Sequence, residues 1–252
     1  MSGGRDDILG AIRKALKRGP LDSGAADALR ARLEDPKRNL IPARAAGLDD
    51  AGRVALFVAM AEEVQTTVSR VASLAEVPGA VALYLASENL PAELVMAPDP
   101  ALDAIPWGER PLLQLRRGKA TPGDQVSVTP AFAGIAETGT LMLTSGAETP
   151  STLNFLPDTH IVVLKADQVL ASYEEGWSRM RERGAMPRTV NFITGPSRTG
   201  DIEQRIQLGA HGPRRLHIVL VDERSAGGQR GDGPFGNGSS GDGQAHPGNG
   251  QR

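Results

Sequence analysis

Ile8, Leu9, Ile12 and Leu16 recur at helical spacing through residues 5–17, with Asp6 and Asp7 in the first turn and Lys14, Lys17 and Arg18 in the last. That charge order complements a helix dipole and predicts an amphipathic helix. A second helix is expected over 25–33, with Asp22 or Ser23 as its cap. Pro36 and Pro42 then interrupt the chain, so residues 1–40 read as a helical arm packing against a later body. From residue 49 the period alternates: 50–64 and 76–87 carry helical patterns, while 67–71 and 93–96 read as strands. Strands are also expected at 112–115 and 125–129, with a turn at Pro122 and Gly123 between them. Such alternation argues for βα units and a largely parallel sheet.

The second half continues the pattern. Residues 141–144 and the fully apolar 161–164 read as strands, 168–183 as a helix with Trp177 and Met180 facing the core, and 189–194 as a strand running into GPSRTGDIE. The end of that motif is expected to open a helix reaching about Leu208, with Gly209 as its C-cap. Residues 216–221, with their IVLV core, read as a last strand buried on both faces.

Composition changes this picture at one end. From residue 225 the chain is rich in glycine, with Phe235 as its one large apolar side chain, and so cannot offset its ordering entropy by burial. The domain reading is therefore an N-terminal arm over 1–40, an α/β domain over 41–224 and a disordered tail over 225–252. With 28 basic against 30 acidic residues there is no electrostatic footprint for nucleic acid. Neither a secretory leader nor an apolar run long enough for membrane insertion is seen, so a soluble cytoplasmic protein is expected. Cysteine is absent from these 252 residues, which removes thiolate nucleophiles and any cysteine-ligated iron–sulfur cluster of the chain's own. His160, His211, His217 and His246 show no metal-ligand spacing, so no metal site is expected.

Candidate chemistry concentrates in three turns. In AGIAETGTLMLTS, residues 133–145, Glu137 sits between Gly134 and Gly139, with Thr138 and Thr140 supplying hydroxyls. A carboxylate so placed serves either as base, nucleophile or ligand anchor, or as a structural acceptor that shapes the turn. In GPSRTGDIE, Gly195, Ser197, Arg198 and Thr199 lie at the expected helix start, where backbone N–H groups either bind an anion or are simply capped. Arg198 offers a charge-assisted clamp for that anion. GAHGP carries His211, an acid/base or hydrogen-bonding candidate in a motif that turn geometry otherwise explains. His160 is expected to end a loop and to bond backbone. No GxGxxG, GxxxxGK[ST] or GxSxG motif is present.

Together these three motifs resemble the LutC/YkgG group of the LUD-domain family over about residues 124–222. The resemblance implies a single three-layer α/β domain with a mainly parallel sheet, NagB/RpiA/CoA transferase-like, within the superfamily that includes 5-formyltetrahydrofolate cyclo-ligase. It implies a part in L-lactate utilisation, where L-lactate is oxidised to pyruvate beside iron–sulfur partner proteins, with no cofactor on this chain and the clusters on the partners. By match to the motifs it draws attention to Glu137 and His211 as catalytic candidates and to Thr138, Gly139, Thr140, Gly195, Ser197, Arg198 and Thr199 as ligand-binding candidates. The pattern leads one to expect a basic residue between Gly146 and Pro157, and this chain has TPSTLNFLP instead, so an anionic ligand would rely on Arg198 or backbone donors. Two alternatives stand beside this reading: a self-sufficient enzyme of the superfamily acting on a small phosphorylated or carboxylated metabolite, and a non-catalytic scaffold. A single hollow shared by the turn at Glu137 and the start of GPSRTG is the geometric expectation common to the first two.

Overall fold

The computed structural model describes residues 3–37, 41–199 and 207–223. Helices α1 (Gly3–Ala15) and α2 (Ser23–Glu34) form as expected, and the Asp22 side chain caps α2 by accepting from the Ala25 N–H at 2.9 Å. The expected packing of this arm is not found: α2 buries none of its residues, and Ile8, Ile12 and Leu16 stand exposed.

The body begins with α3 (Asp50–Glu63), capped by Asp49, then β1 (Thr67–Val71), α4 (Val77–Ser87), β2 (Glu93–Met96), α5 (Pro100–Asp103) and β3 (Gln114–Arg117). β3 lies two residues beyond its expected position, because Leu112 points into solvent while Leu115 pairs with Leu94. β4 (Val126–Pro130), β5 (Ala133–Ile135), β6 (Thr140–Thr144), α6 (Thr152–Phe155), β7 (Thr159–Lys165), β8 (Val169–Leu170), α7 (Tyr173–Glu182), β9 (Val190–Ile193), β10 (Arg198–Thr199), β11 (Gln207–Leu208) and β12 (Arg215–Val221) complete the order.

Six strands make one all-parallel sheet in the order β1-β12-β7-β4-β2-β3. β12, the most apolar run, is the second strand, covered on both faces as its IVLV sequence requires. Along β7 and β12 the side chains alternate between two cores. Ile161, Val163, Val219 and Val221 join α4, α5 and Trp107 on one face. Val162, Leu164, Ile218 and Leu220 join Val54, Phe57 and Ala61 of α3 on the other.

That second core also receives Leu141 and Leu143, which belong to a smaller four-stranded sheet, β8-β5-β6-β9, that was not expected. α7 covers the outer face of the small sheet through Met180 and Trp177. The three-layer arrangement thus holds around the main sheet, with the small sheet sharing the α3 side.

Strand pairing also corrects two helix assignments, one in the small sheet and one in a separate two-stranded sheet of β10 and β11. Residues 168–172 do not start α7: Val169 and Leu170 pair with Gly134 and Ile135, and Ser172 then caps the helix. Gln207 and Leu208 do not end a helix either; they pair antiparallel with Thr199 and Arg198. Gly209 accordingly leaves a strand, at φ +82°, and caps no helix. The helix expected between these strands falls on residues 200–206, and the glycine-rich tail on 225–252, outside the described residues.

Candidate functional site

Glu137 follows β5 in the turn to β6 and is 4% exposed. Its Oε1 accepts from the backbone N–H of Tyr173 at 3.0 Å, at the first turn of α7, so the carboxylate complements that helix dipole. Oε2 is buried without a hydrogen-bond partner. Beside it the hydroxyls of Thr138, Thr140 and Tyr173 bond one another at 2.7 to 3.0 Å, and Thr140 reaches Thr194 at 2.6 Å.

The two glycines of these motifs have a mechanical reason. A Cβ at Gly139 (φ +64°) would collide with the Ala61 backbone, and one at Gly195 (φ +76°) would meet the Val64 carbonyl oxygen at 2.5 Å. Both turns therefore seat directly on the C-terminal end of α3, an approach open only to glycine.

A cavity of about 340 Å³ opens at the amino edge of the main sheet, near the starts of β7 and β12. Its wall includes Asn154, His160, Thr194, Ser197, Arg198 and His211. Gly195 lines it too, whereas Thr199 is 8% exposed within β10 and is absent from the wall. Glu137, Thr138, Gly139 and Thr140 are likewise absent from the wall. The expected shared hollow is thus corrected: the turn at Glu137 and the loop at Gly195 meet through the Thr140–Thr194 hydroxyl contact, and of the two only the loop lines this cavity.

Within this cavity His160 is fully buried, on β7 and not in a loop. Its Nε2 bonds the Thr129 hydroxyl at 2.7 Å, and Nδ1 has no partner. Burial pushes its pKa down to about 3, so the ring is neutral at physiological pH and offers a hydrogen bond rather than a charge. Buried polar atoms are ordinarily satisfied, which makes the Nδ1 a candidate ligand contact. The Ser197 N–H donates to the Pro213 carbonyl at 2.8 Å, and its Oγ accepts from the His211 N–H at 3.3 Å. The Ser197 amide is thereby spent on holding the GAHGP loop, while the Arg198 side chain is exposed.

The family model for the LUD domain matches residues 124–221, the stretch that carries β4 to β12 and every turn described above. A protein named lactate utilization protein C from Deinococcus radiodurans is 34% identical over 159 residues, covering 59% of this chain and 70% of that protein. The chain belongs to the lactate utilization protein C family. A Geobacillus thermodenitrificans lactate utilization protein C is 35% identical over 116 residues, 44% of this chain and 48% of that relative. The chain spans about half the length of the first curated relatives it matches. A crystal structure of a DUF162 family protein from Deinococcus radiodurans superimposes with a TM-score of 0.52 at 26% identity, covering 69% of this chain and 99% of that one.

For this member of the family, sequence reading missed Asn154, Tyr173 and Thr194. Asn154 was the legible one: a carboxamide inside the apolar turn STLNFLP, where only the lack of a basic residue drew notice. Tyr173 and Thr194 join the site only through contacts across strands.

The geometry assigns Glu137 a measurable structural contribution. Glu137→Gln keeps an oxygen to accept from Tyr173 but loses the charge at the helix start. We expect it to lower stability by about 1 kcal/mol in urea unfolding. A loss above about 3 kcal/mol would show that the turn needs the carboxylate for more than this bond.

Proposed function

We propose that the chain is a LutC-like subunit of a cytoplasmic L-lactate utilisation system that oxidises L-lactate to pyruvate together with iron–sulfur partner proteins. The observation that carries this reading is the convergence, in a member of the lactate utilization protein C family, of Arg198, His160 and Asn154 on one small cavity. A 2-hydroxy acid presents a carboxylate and a neighbouring hydroxyl. Arg198 suits the first as a charge-assisted donor, and the free Nδ1 of His160 and the Asn154 amide suit the second. In this reading the chain binds and orients lactate, the two electrons of its oxidation pass to clusters on the partners, and no redox group is asked of this cysteine-free chain. Glu137, whose carboxylate is engaged by Tyr173 away from the cavity wall, is a positioning residue that holds α7 and the hydroxyl cluster.

Two measurements test the proposal. Deleting the gene in a host without a paralogue should abolish growth on L-lactate, and the tagged protein should co-purify with iron–sulfur proteins. In calorimetry, Arg198→Ala should weaken L-lactate binding about tenfold or more, in line with loss of a charge-assisted contact. Undiminished growth on L-lactate after deletion would remove the proposal.

A further inference from the structure

A larger cavity, about 570 Å³, lies at the opposite end of the molecule. In the main sheet the chain leaves β2 outward to β3, whereas from β4 it works inward toward β7 and β12. The segments after β2 and β4 therefore part in opposite directions at their carboxyl ends, opening the crevice where open α/β sheets hold ligands. Leu102 follows β2, Ala131 and Phe132 follow β4, and Val163 ends near the floor on β7, so the crevice has an apolar base.

Its rim is cationic. Lys165 at the end of β7 and Arg179 and Arg183 on successive turns of the α7 segment all line it. Among the described residues none of the three lies in an ion pair, while Arg70, Arg116, Arg117 and Arg215 elsewhere on the body each hold a carboxylate. The Arg183 guanidinium sits over the Phe132 ring, 5.3 Å from its centroid, and Arg179 donates to the Asp167 carbonyl at 3.3 Å, which fixes both side chains at the mouth. Two carboxylates share the cavity. Asp99 is spent capping α5, accepting from the Ala101 N–H at 2.8 Å, and Glu148 is exposed on the Gly146–Thr149 turn.

A volume of this size lies within the range of pockets that enclose drug-sized molecules, and lactate would fill only a small part of it. We propose that this carboxyl-edge crevice is a second ligand site, taking an organic anion larger than lactate, its apolar body on Leu102, Val163 and Phe132 and its carboxylate or phosphate group among Lys165, Arg179 and Arg183. This site stands whether or not the amino-edge cavity binds lactate.

The test is saturation-transfer NMR on the full chain with benzoate, phenyl phosphate and the neutral control benzyl alcohol. At least one of the two anions should bind about tenfold tighter than benzyl alcohol, and the tighter of them identifies the head group. Lys165→Glu with Arg183→Glu, both exposed positions whose reversal leaves the core untouched, should weaken that anion about tenfold or more while L-lactate affinity stays as in the parent protein. Equal binding of benzyl alcohol, or an anion affinity unchanged by the double reversal, overturns the second site. Loss of growth on L-lactate is a separate readout, so either proposal can fail alone.

Discussion

Gly139→Ala is expected to cost more than about 4 kcal/mol, the range reached only when backbone strain or a packing conflict cannot relax. Two costs act together. Alanine would have to hold φ near +64°, which disfavours any Cβ, and that Cβ would lie against the backbone of Met60 and Ala61. The obstruction is main chain inside α3, so no side chain can swing aside. Because small domains are stable by about 5–15 kcal/mol, the variant should be recovered unfolded or with a much lowered midpoint in urea. Gly123→Ala is the matched control, since a Cβ there meets nothing within 4 Å, and it should leave the midpoint unchanged. A Gly139→Ala protein within about 1 kcal/mol of the parent would show that the turn can lift off α3 and would remove the structural reading of the ETGT motif.

The second large effect is a loss of stability on mild acidification. Burial pushes His160 down to about 3 and His217 down to about 4. His217 is also stacked on Tyr84 at 3.8 Å, with Nδ1 bonded to the Thr67 hydroxyl at 2.8 Å and Nε2 unpartnered. Both rings are neutral in the folded chain at pH values where an unfolded histidine, near 6.5, takes up a proton. The unfolded state therefore binds more protons as pH falls below about 6.5, and the folded state loses about 1.4 kcal/mol per pH unit for each ring. That loss continues to about pH 4 for His217 and about pH 3 for His160. Between pH 6.5 and 5 the pair should cost about 3 kcal/mol, the slope reaching its full value only below pH 6.5. Urea unfolding at a series of pH values reads the slope, and His160→Gln should reduce that slope by about 1.4 kcal/mol per unit whatever it does to the absolute stability. An unaltered slope in both His160→Gln and His217→Gln would mean that these rings are protonated in the folded protein.

These two predictions differ in how visible they were beforehand. The glycine of AETGT stood out as a turn residue, but its reason does not lie in the turn: it lies in Ala61, nearly eighty positions away along the chain. His160 and His217 were legible as strand-adjacent histidines, while the depth that neutralises them follows from the neighbours supplied by β4, β1 and α4. The site itself divides similarly. Ser197, Arg198 and His211 line one cavity, a meeting that no motif announced, while Glu137, expected to share a hollow with Ser197, reaches that loop only through the hydroxyl contact of Thr140 with Thr194. The cationic rim of Lys165, Arg179 and Arg183 drew no notice, although the i, i+4 spacing of the two arginines was there to be read.

Local pattern was a reliable guide wherever an element's own residues decide its state. α3, β1, α4 and β2 carry periodicities and caps that agree with the fold, and their ends fall within a residue of expectation. It misled at Val169–Leu170 and Gln207–Leu208, two-residue strands whose backbone hydrogen bonds go to partners outside their own segment. From sequence alone came the parallel α/β body, the helical arm, the missing thiols and the three turns of the LUD family. Only the folded chain decided that the turns at Gly139 and Gly195 seat on α3, that a cavity opens beside the starts of β7 and β12 and another at the carboxyl ends of β4 and β7, and which side chains face each. Strand order fixes those positions, and strand order is a matter of long-range pairing that no local window of residues encodes.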